Sequence, residues 1–442
     1  MLRKGLAEMG YLLNLVYLAA ILVASPYLLY SALRYGKYRE GWREKFFGSV
    51  LSRTGKNKCL WLHAVSVGEV NLLAPLIARW ESLYPDWECV ISTTTLAGFA
   101  LARKRYAPRT VFYCPLDFTW SVRRAIRRIR PDMLVLAELE LWPNLVSAAK
   151  QSGAKIAIIN GRLGDKSLRG YQRIGFVTEK TLQQFDLIAA QNEEYAQRFR
   201  RLGARPSTVS VTGSIKFDGA ITDRRNPATR RLAALAGIQE SDCVFLAGST
   251  QEPEESLAVA VFSRLAKAFP ALRLILVPRH AERFEDVARM LEKSGLPWQR
   301  RSALESEGVN PAARILLVDV IGELGAWWGT AAIAFVGGSL GKRGGQNMIE
   351  PAAYGVAVSF GPNTWNFRDV VSMLLAREAA VVVKNEEEME AFVQRCLADD
   401  DVANELGEKA RALVLEQLGA TDRTVELLGR LVDSPQSTRQ AA

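Results

Sequence analysis

From Lys58 onward the chain alternates short apolar runs with amphipathic stretches, and this alternation restricts the fold more than any other feature. Cys59–Val65, Glu88–Ser92, Thr110–Cys114, Met133–Ala137 and Lys155–Asn160 are largely apolar, and two further runs lie at 186–190 and 208–212. Near-continuous apolar runs of this length read as strands buried on both faces of a parallel sheet. Amphipathic stretches near 70–83, 97–106, 118–129, 143–152 and 170–184 read as the intervening helices. A polar, charged stretch from Phe217 to Arg231 separates this set from a second one, with strands near 243–248, 272–277, 314–318, 332–336, 356–359 and 379–382. The stretch from about 384 to 432 reads as helical. The pattern predicts two α/β domains of Rossmann-like type joined near 215–235, since 442 residues exceed one ordinary core. Sites in such sheets lie outside the carboxyl ends of the strands. The ends, Ser434–Ala442 and Ser302–Pro311, read as mobile.

The first 45 residues are of another kind. Met9 to Leu33 is 25 residues without a charge, enough helix to span a hydrocarbon core of about 30 Å. No small-residue cleavage site precedes a polar mature start, so the segment does not read as a cleavable signal. Residues 34–45 carry five bases (Arg34, Lys37, Arg39, Arg43, Lys45) against two acids, while only Arg3 and Lys4 lie on the other side. That asymmetry puts the body of the protein in the cytoplasm. Tyr11, Tyr27, Tyr30, Tyr35 and Trp42 suit the interfaces; Asn14 and Pro26 weaken a span and leave a segment lying within the cytoplasmic leaflet as the alternative. The expected division is an anchor with its basic segment at 1–45, an N-terminal domain at 46–216, a C-terminal domain at 217–432 and a tail at 433–442.

Bases outnumber acids by 57 to 47, which favours anionic partners such as a phospholipid surface or a phosphorylated substrate. Nucleic acid is not expected. The basic run Arg123–Arg130 surrounds apolar residues at helical spacing and has no aromatic platform beside it, so it reads as a surface helix facing anionic lipid. The five cysteines are far apart, without a CxxC pair, and read as reduced core residues.

Candidate chemistry clusters at strand ends. In LWLHAVSVGEV, residues 60–70, Glu69 opens a helix after a strand. It reads either as a general base or as a helix-start carboxylate stabilised by the macrodipole. In LAELELWPNLV, residues 136–146, Glu138 and Glu140 end a strand, where carboxylates are costly unless paired or used. Lys216, in VTGSIKFD, falls at the junction of the halves and could meet developing negative charge. Arg279 and His280 follow a buried strand, and arginine suits bidentate phosphate recognition. The chain has two histidines, His63 and His280, both at strand ends facing the expected site. Gly322, Glu323 and Leu324 form a turn that offers amides and a carboxylate to a base or ribose. In AFVGGSLGKRGGQNMIEPAAYG, a strand meets glycines and enters a helix carrying Asn347 and Glu350 in its first turns. Such a helix start attracts phosphate, and Glu350 suits ribose hydroxyls. This stretch resembles the nucleotide-sugar end of a two-domain glycosyltransferase.

The ordered series LHAVSVGEV, AELELWPN, INGRLGDKS, AAQNEE, TGSIKFD, AGSTQEPEE, PRHAERF, IGEL, FVGGS and GGQNMIEPAAYG resembles the Kdo transferase family of lipid A assembly. The resemblance runs from about residue 10 to 425. It implies a GT-B fold, two Rossmann-like domains with parallel sheets facing an interdomain cleft. It also implies CMP-Kdo (Kdo is 3-deoxy-D-manno-octulosonic acid) as donor, a tetraacylated lipid A precursor as acceptor, and anchoring at the cytoplasmic face of the inner membrane. By the same resemblance Glu69 is the proton acceptor, and Glu138 and Lys216 stabilise the transition state. The CMP contacts are Pro278 with Arg279, then Gly322 to Leu324, then Asn347, Met348, Ile349 and Glu350. No metal or other cofactor is expected, because cations and helix N-termini can meet the leaving charge.

Departures from the family pattern are Gln251 and Gln346, where the family usually has histidine, and Leu139, where it has threonine. Glutamine still donates hydrogen bonds but carries no charge. Two other functions fit the same residues: a GT-B transferase using another nucleotide sugar on a lipid acceptor, which a donor screen separates, and a membrane-tethered nucleotide- or lipid-binding protein without turnover, which one assay with labelled donor decides.

Overall fold

A computed structural model describes residues 2–35 and 40–433. The expected bases Lys37 and Arg39 and the tail 434–442 lie outside the described residues.

The chain divides into two compact units, residues 1–218 with 418–442, and residues 219–417. Unit one holds seven strands: β1 (Lys58–His63), β2 (Trp87–Thr93), β3 (Val111–Tyr113), β4 (Met133–Ala137), β5 (Lys155–Gly161), β6 (Leu187–Ala190) and β7 (Val209–Val211). Their order is β3-β2-β1-β4-β5-β6-β7, with parallel registers such as Leu60 opposite Cys89 on one side and Met133 on the other. Alternation along each strand supplies both faces of the sheet. Cys59 and Trp61 of β1 and Leu134 and Leu136 of β4 join one buried cluster. Leu60, Leu62, Met133, Val135 and Ala137 join the other. The topological switch lies between β1 and β4, where the strand order reverses.

Unit two repeats the scheme with β8 (Cys243–Thr250), β9 (Leu272–Pro278), β10 (Trp298–Arg300), β11 (Ile315–Leu317), β12 (Ile333–Val336), β13 (Ala357–Phe360) and β14 (Ala380–Val382). Here the order is β10-β11-β9-β8-β12-β13-β14, again parallel, and the switch lies between β8 and β12.

Three features differ from the sequence reading. The expected C-terminal domain ran to residue 432, but the helix Ala420–Asp433 belongs to unit one. Its Ala420, Val425 and Leu428 complete the second cluster, Asp218 accepts the N–H groups of Gly419 and Thr421 at its start, and Arg423 donates to the Thr212 carbonyl at 2.8 Å. The polar stretch near 215–235 is not open linker, since it forms a 3-10 turn at Ile215–Phe217 and the helix Pro227–Leu235. The expected mobile loop Ser302–Pro311 contains a 3-10 turn and the helix Leu304–Glu307. Ser302 is tied there to Asp319 through both its N–H and its hydroxyl.

Four of the cysteines are buried, Cys243 is half-buried, and none is disulfide-bonded.

Candidate active site

The switch point of unit one gathers the carboxylates that the sequence singled out. Beyond β1, Ser66 caps the helix Val67–Leu83 and its hydroxyl oxygen accepts the Glu69 N–H. Glu69 returns the bond: its Oε1 accepts the Ser66 hydroxyl at 2.8 Å and its Oε2 accepts the Val65 N–H at 2.8 Å. This reciprocal pattern is a variant of the capping box, built by the spacing Ser-Val-Gly-Glu. The side chain is nearly buried, 9% exposed. Burial pushes its pKa above the ordinary carboxylate value; the Val65 and Ser66 hydrogen bonds oppose the shift and the Glu138 charge adds to it.

Glu138 directly follows β4 and sits in the left-handed region at φ 57°, a conformation that is sterically unfavourable for any residue with a Cβ. It pairs with Lys216 at 3.0 Å. Lys216 is aimed there by its neighbours: Ile215 and Phe217 are buried, and the Ile215 N–H donates to Asn160 Oδ1 at 3.0 Å. Glu140 accepts the Trp142 indole N–H at 2.8 Å. Its pKa is pushed up to about 7, first by burial and then by the charge of Glu69. The three carboxylates therefore stand close enough to act on one another, with one lysine to balance them. A buried carboxylate raised toward neutrality beside a cation is suited to accepting a proton from a substrate hydroxyl.

His63 corrects an expectation. It is fully buried at the end of β1 with Nδ1 2.9 Å from Ser92 Oγ, and burial lowers its pKa to about 4. It is a neutral packing residue rather than one that faces a substrate.

In unit two the same point of the sheet is organised by Glu254, which the sequence reading did not single out. Its buried carboxylate accepts four backbone N–H groups, those of Gln251 (2.9 Å), Gly338 (2.7 Å), Ser339 (2.9 Å) and Leu340 (3.0 Å). It thereby clamps the loops that follow β8 and β12. Gly337 allows the approach, since a Cβ there would stand 2.6 Å from Thr250 Cα and 2.7 Å from Glu254 Oε2. Gly338, at φ 67°, lies beneath both unusual glutamines: its missing Cβ would be 3.2 Å from Gln346 Nε2 and 3.6 Å from Gln251 Nε2. An adjoining pocket of about 390 Å³ has a mixed lining, with Glu252, Glu254 and Glu282 beside His280, Arg283, Lys342 and Arg343. Arg283 is paired with Glu252 and Glu255, so Lys342 and Arg343 are the cations the pocket offers to an anion.

The expected donor residues fall into two groups. Arg279, following Pro278 at the end of β9, exerts its charge on Glu350, whose pKa is raised mainly by burial. Glu350 Oε1 accepts the Asn347 amide at 3.0 Å, and its Oε2 lies 4.0 Å from where a Gly325 Cβ would stand, beside the Gly322–Leu324 turn. Arg279, Asn347 and Glu350 thus form one neighbourhood, with Gly325 of the helix after that turn against it, and His280 is exposed at the lip of the pocket. Met348 and Ile349 are buried, so only their backbone can meet a ligand. The Glu323 carboxylate, expected to be free for a base or ribose, is held by Arg301 at 2.7 and 2.8 Å. The helix expected to carry Asn347 in its first turns is the short Ile349–Ala353, and Asn347 lies before it; its dipole is small, and charge at this site must come from side chains and loop amides. Among the described residues no cluster of side chains is arranged to hold a metal ion.

Two Rossmann-like parallel sheets in one chain, one bearing a carboxylate cluster and the other a glycine-lined pocket, define the GT-B class. A solved UDP-GlcNAc 2-epimerase from Neisseria meningitidis shares this fold at a TM-score of 0.53 and 13% identity, covering 84% of this chain and 100% of that one. Residues 40–219 match the family described as 3-deoxy-D-manno-octulosonic-acid transferase (kdotransferase). The 3-deoxy-D-manno-octulosonic acid transferase of Haemophilus influenzae is 30% identical over 93% of this chain and 97% of its own length. That of Bordetella pertussis is 33% identical over 84% and 86%. The chain belongs to the 3-deoxy-D-manno-octulosonic acid transferase family of glycosyltransferases.

Proposed function

We propose that this protein moves Kdo from CMP-Kdo to a hydroxyl of the tetraacylated lipid A precursor, with inversion, at the cytoplasmic face of the inner membrane. The carrying observation is Glu69: a nearly buried carboxylate at the switch point of unit one, raised in pKa and flanked by Glu138, Glu140 and Lys216. In the proposed step Glu69 takes the proton of the acceptor hydroxyl as that oxygen bonds to the anomeric carbon of Kdo. The bond from that carbon to the CMP phosphate oxygen breaks, and CMP leaves with the electron pair. Lys216, held by Glu138, offers a cation to the sugar carboxylate or the leaving phosphate. Arg279 and the loop amides near Gln346 and Asn347 hold the phosphate, and Glu350 accepts from ribose hydroxyls. The protein's own cations supply the positive charge in this reading, without a metal.

Family membership supports the Kdo donor. The anionic membrane surface is supported by the helix Leu2–Tyr35, in which Met9–Tyr27 is long and apolar enough to cross a bilayer. The test is mass spectrometry of the lipid product. Purified protein given CMP-Kdo and the tetraacylated disaccharide should add Kdo to the lipid. Product formed only with another nucleotide sugar, or with none, overturns the reading.

A further inference from the structure

The N-terminal helix is apolar and long, yet one stretch of it is bound to unit one by polar contacts. Asn14 is buried. Its Nδ2 donates to Thr119 Oγ1 at 2.8 Å and its Oδ1 accepts the Thr119 N–H at 3.0 Å. One turn later the Tyr17 hydroxyl donates to Asp117 Oδ2 at 3.1 Å, and its ring meets Phe118 edge-on at 6.0 Å. One turn earlier Gly10 lies against Asn144, where a Cβ would stand 2.7 Å from Oδ1. Gly10, Asn14 and Tyr17 share one helix face by their spacing.

The chain then comes back to the same place. Tyr113 donates its hydroxyl to Glu40 at 3.1 Å. Phe46 stacks on the same Phe118 at 6.4 Å, and the Ser121 hydroxyl donates to the Lys45 carbonyl at 3.0 Å. Both flanks of the stretch between Tyr17 and Glu40 are therefore tied to unit one around Phe118. A single crossing requires its flanks on opposite sides of the bilayer. The eight residues from Leu2 to Met9 span only about 12 Å of helix, against a hydrocarbon core of about 30 Å.

We propose that the helix Leu2–Tyr35 lies along one leaflet, docked side-on to unit one, and does not cross the membrane. The lipid interface is its occupant. Leu12, Leu15, Leu22, Val23 and Leu29 are exposed, as are Trp42 and Trp120, which stack beside the helix through Phe46 and the buried Phe118. Arg123 stands over the Tyr11 ring at 5.9 Å, on the same basic helix as Arg124 and Arg127, which suits anionic headgroups.

This inference rests on membrane attachment as proposed above, but its tests read topology and not sugar transfer. Full-length protein carrying Leu2→Cys is labelled in sealed membrane vesicles of either orientation with an impermeant maleimide, beside protein carrying Ser207→Cys, exposed on unit one. Labelling of both from one face, or loss of Leu2→Cys labelling from both faces under lipid cover, supports the proposal. Labelling of the two from opposite faces overturns it. The pair Asn14→Cys with Thr119→Cys should cross-link on oxidation in membranes; folded, membrane-bound protein that does not cross-link overturns the docking. Release of the protein by alkaline carbonate overturns the lipid occupant.

Discussion

In the proposed reaction Glu69 has two tasks whose requirements partly conflict. As the third residue of its helix it accepts from Ser66 and Val65, which holds it in place and favours its charged form. As a base it needs a free lone pair and a raised pKa, and burial with the neighbouring Glu138 charge supplies the second. Because its pKa is raised, the base is protonated and inactive at low pH, and activity rises as pH passes through that raised value. Replacing Glu138 by Gln removes one raising influence, so the acidic limb of kcat/KM against pH should move to lower pH. A limb that stays in place assigns the shift to burial alone. His63, held neutral by burial with a pKa near 4, should show ring resonances that do not titrate near the ordinary 6.5. A transition there would mean that the ring is open to water. At this scale the sequence singled out carboxylates near strand ends, such as Glu69 and Glu138, that the structure brings within electrostatic reach of one another. It was silent at Glu254, three of whose four partners lie 84 to 86 residues further along the chain.

At the scale of elements, the apolar runs located thirteen strands because parallel strands buried on both faces need little else. The strand missed, β10, is the short Trp-Gln-Arg segment at the sheet edge, which has no apolar run to betray it. The helix expected to carry Asn347 starts two residues later, at Ile349, and is short because Tyr354 and Gly355 end it before β13. The loops after β8 and β12 are instead fixed by Glu254. Removing that carboxylate in Glu254→Ala strands several buried N–H groups and should cost on the order of 3 kcal/mol or more. CMP affinity should be lost along with the stability of unit two. Calorimetry with CMP titration checks this, and near-normal affinity would show that the loops hold without the clamp.

At the scale of the molecule, two sheets and their order of assembly were legible, whereas the final helix was not. Nothing in Ala420–Asp433 marks which sheet its apolar stripe will cover; that is decided by Asp218 and Thr212, some 200 residues earlier. Val425 and Leu428, both buried, each contribute roughly 1.5–3 kcal/mol. Truncation after Leu418 should therefore lower the stability of unit one and leave unit two unchanged, as hydrogen exchange resolved by peptide would report. Equal loss in both units would contradict the division.

The most direct test of the central claim is the turnover of Glu69→Gln, which keeps a side chain able to accept hydrogen bonds at the helix start but cannot take a proton. With CMP-Kdo and the lipid acceptor, the rate should fall by about 10²–10⁴, while CMP affinity and thermal stability stay near those of the unsubstituted protein. A rate within about tenfold of the unsubstituted protein, well short of what general-base catalysis supplies, would contradict the role given to Glu69 and leave it as a helix cap.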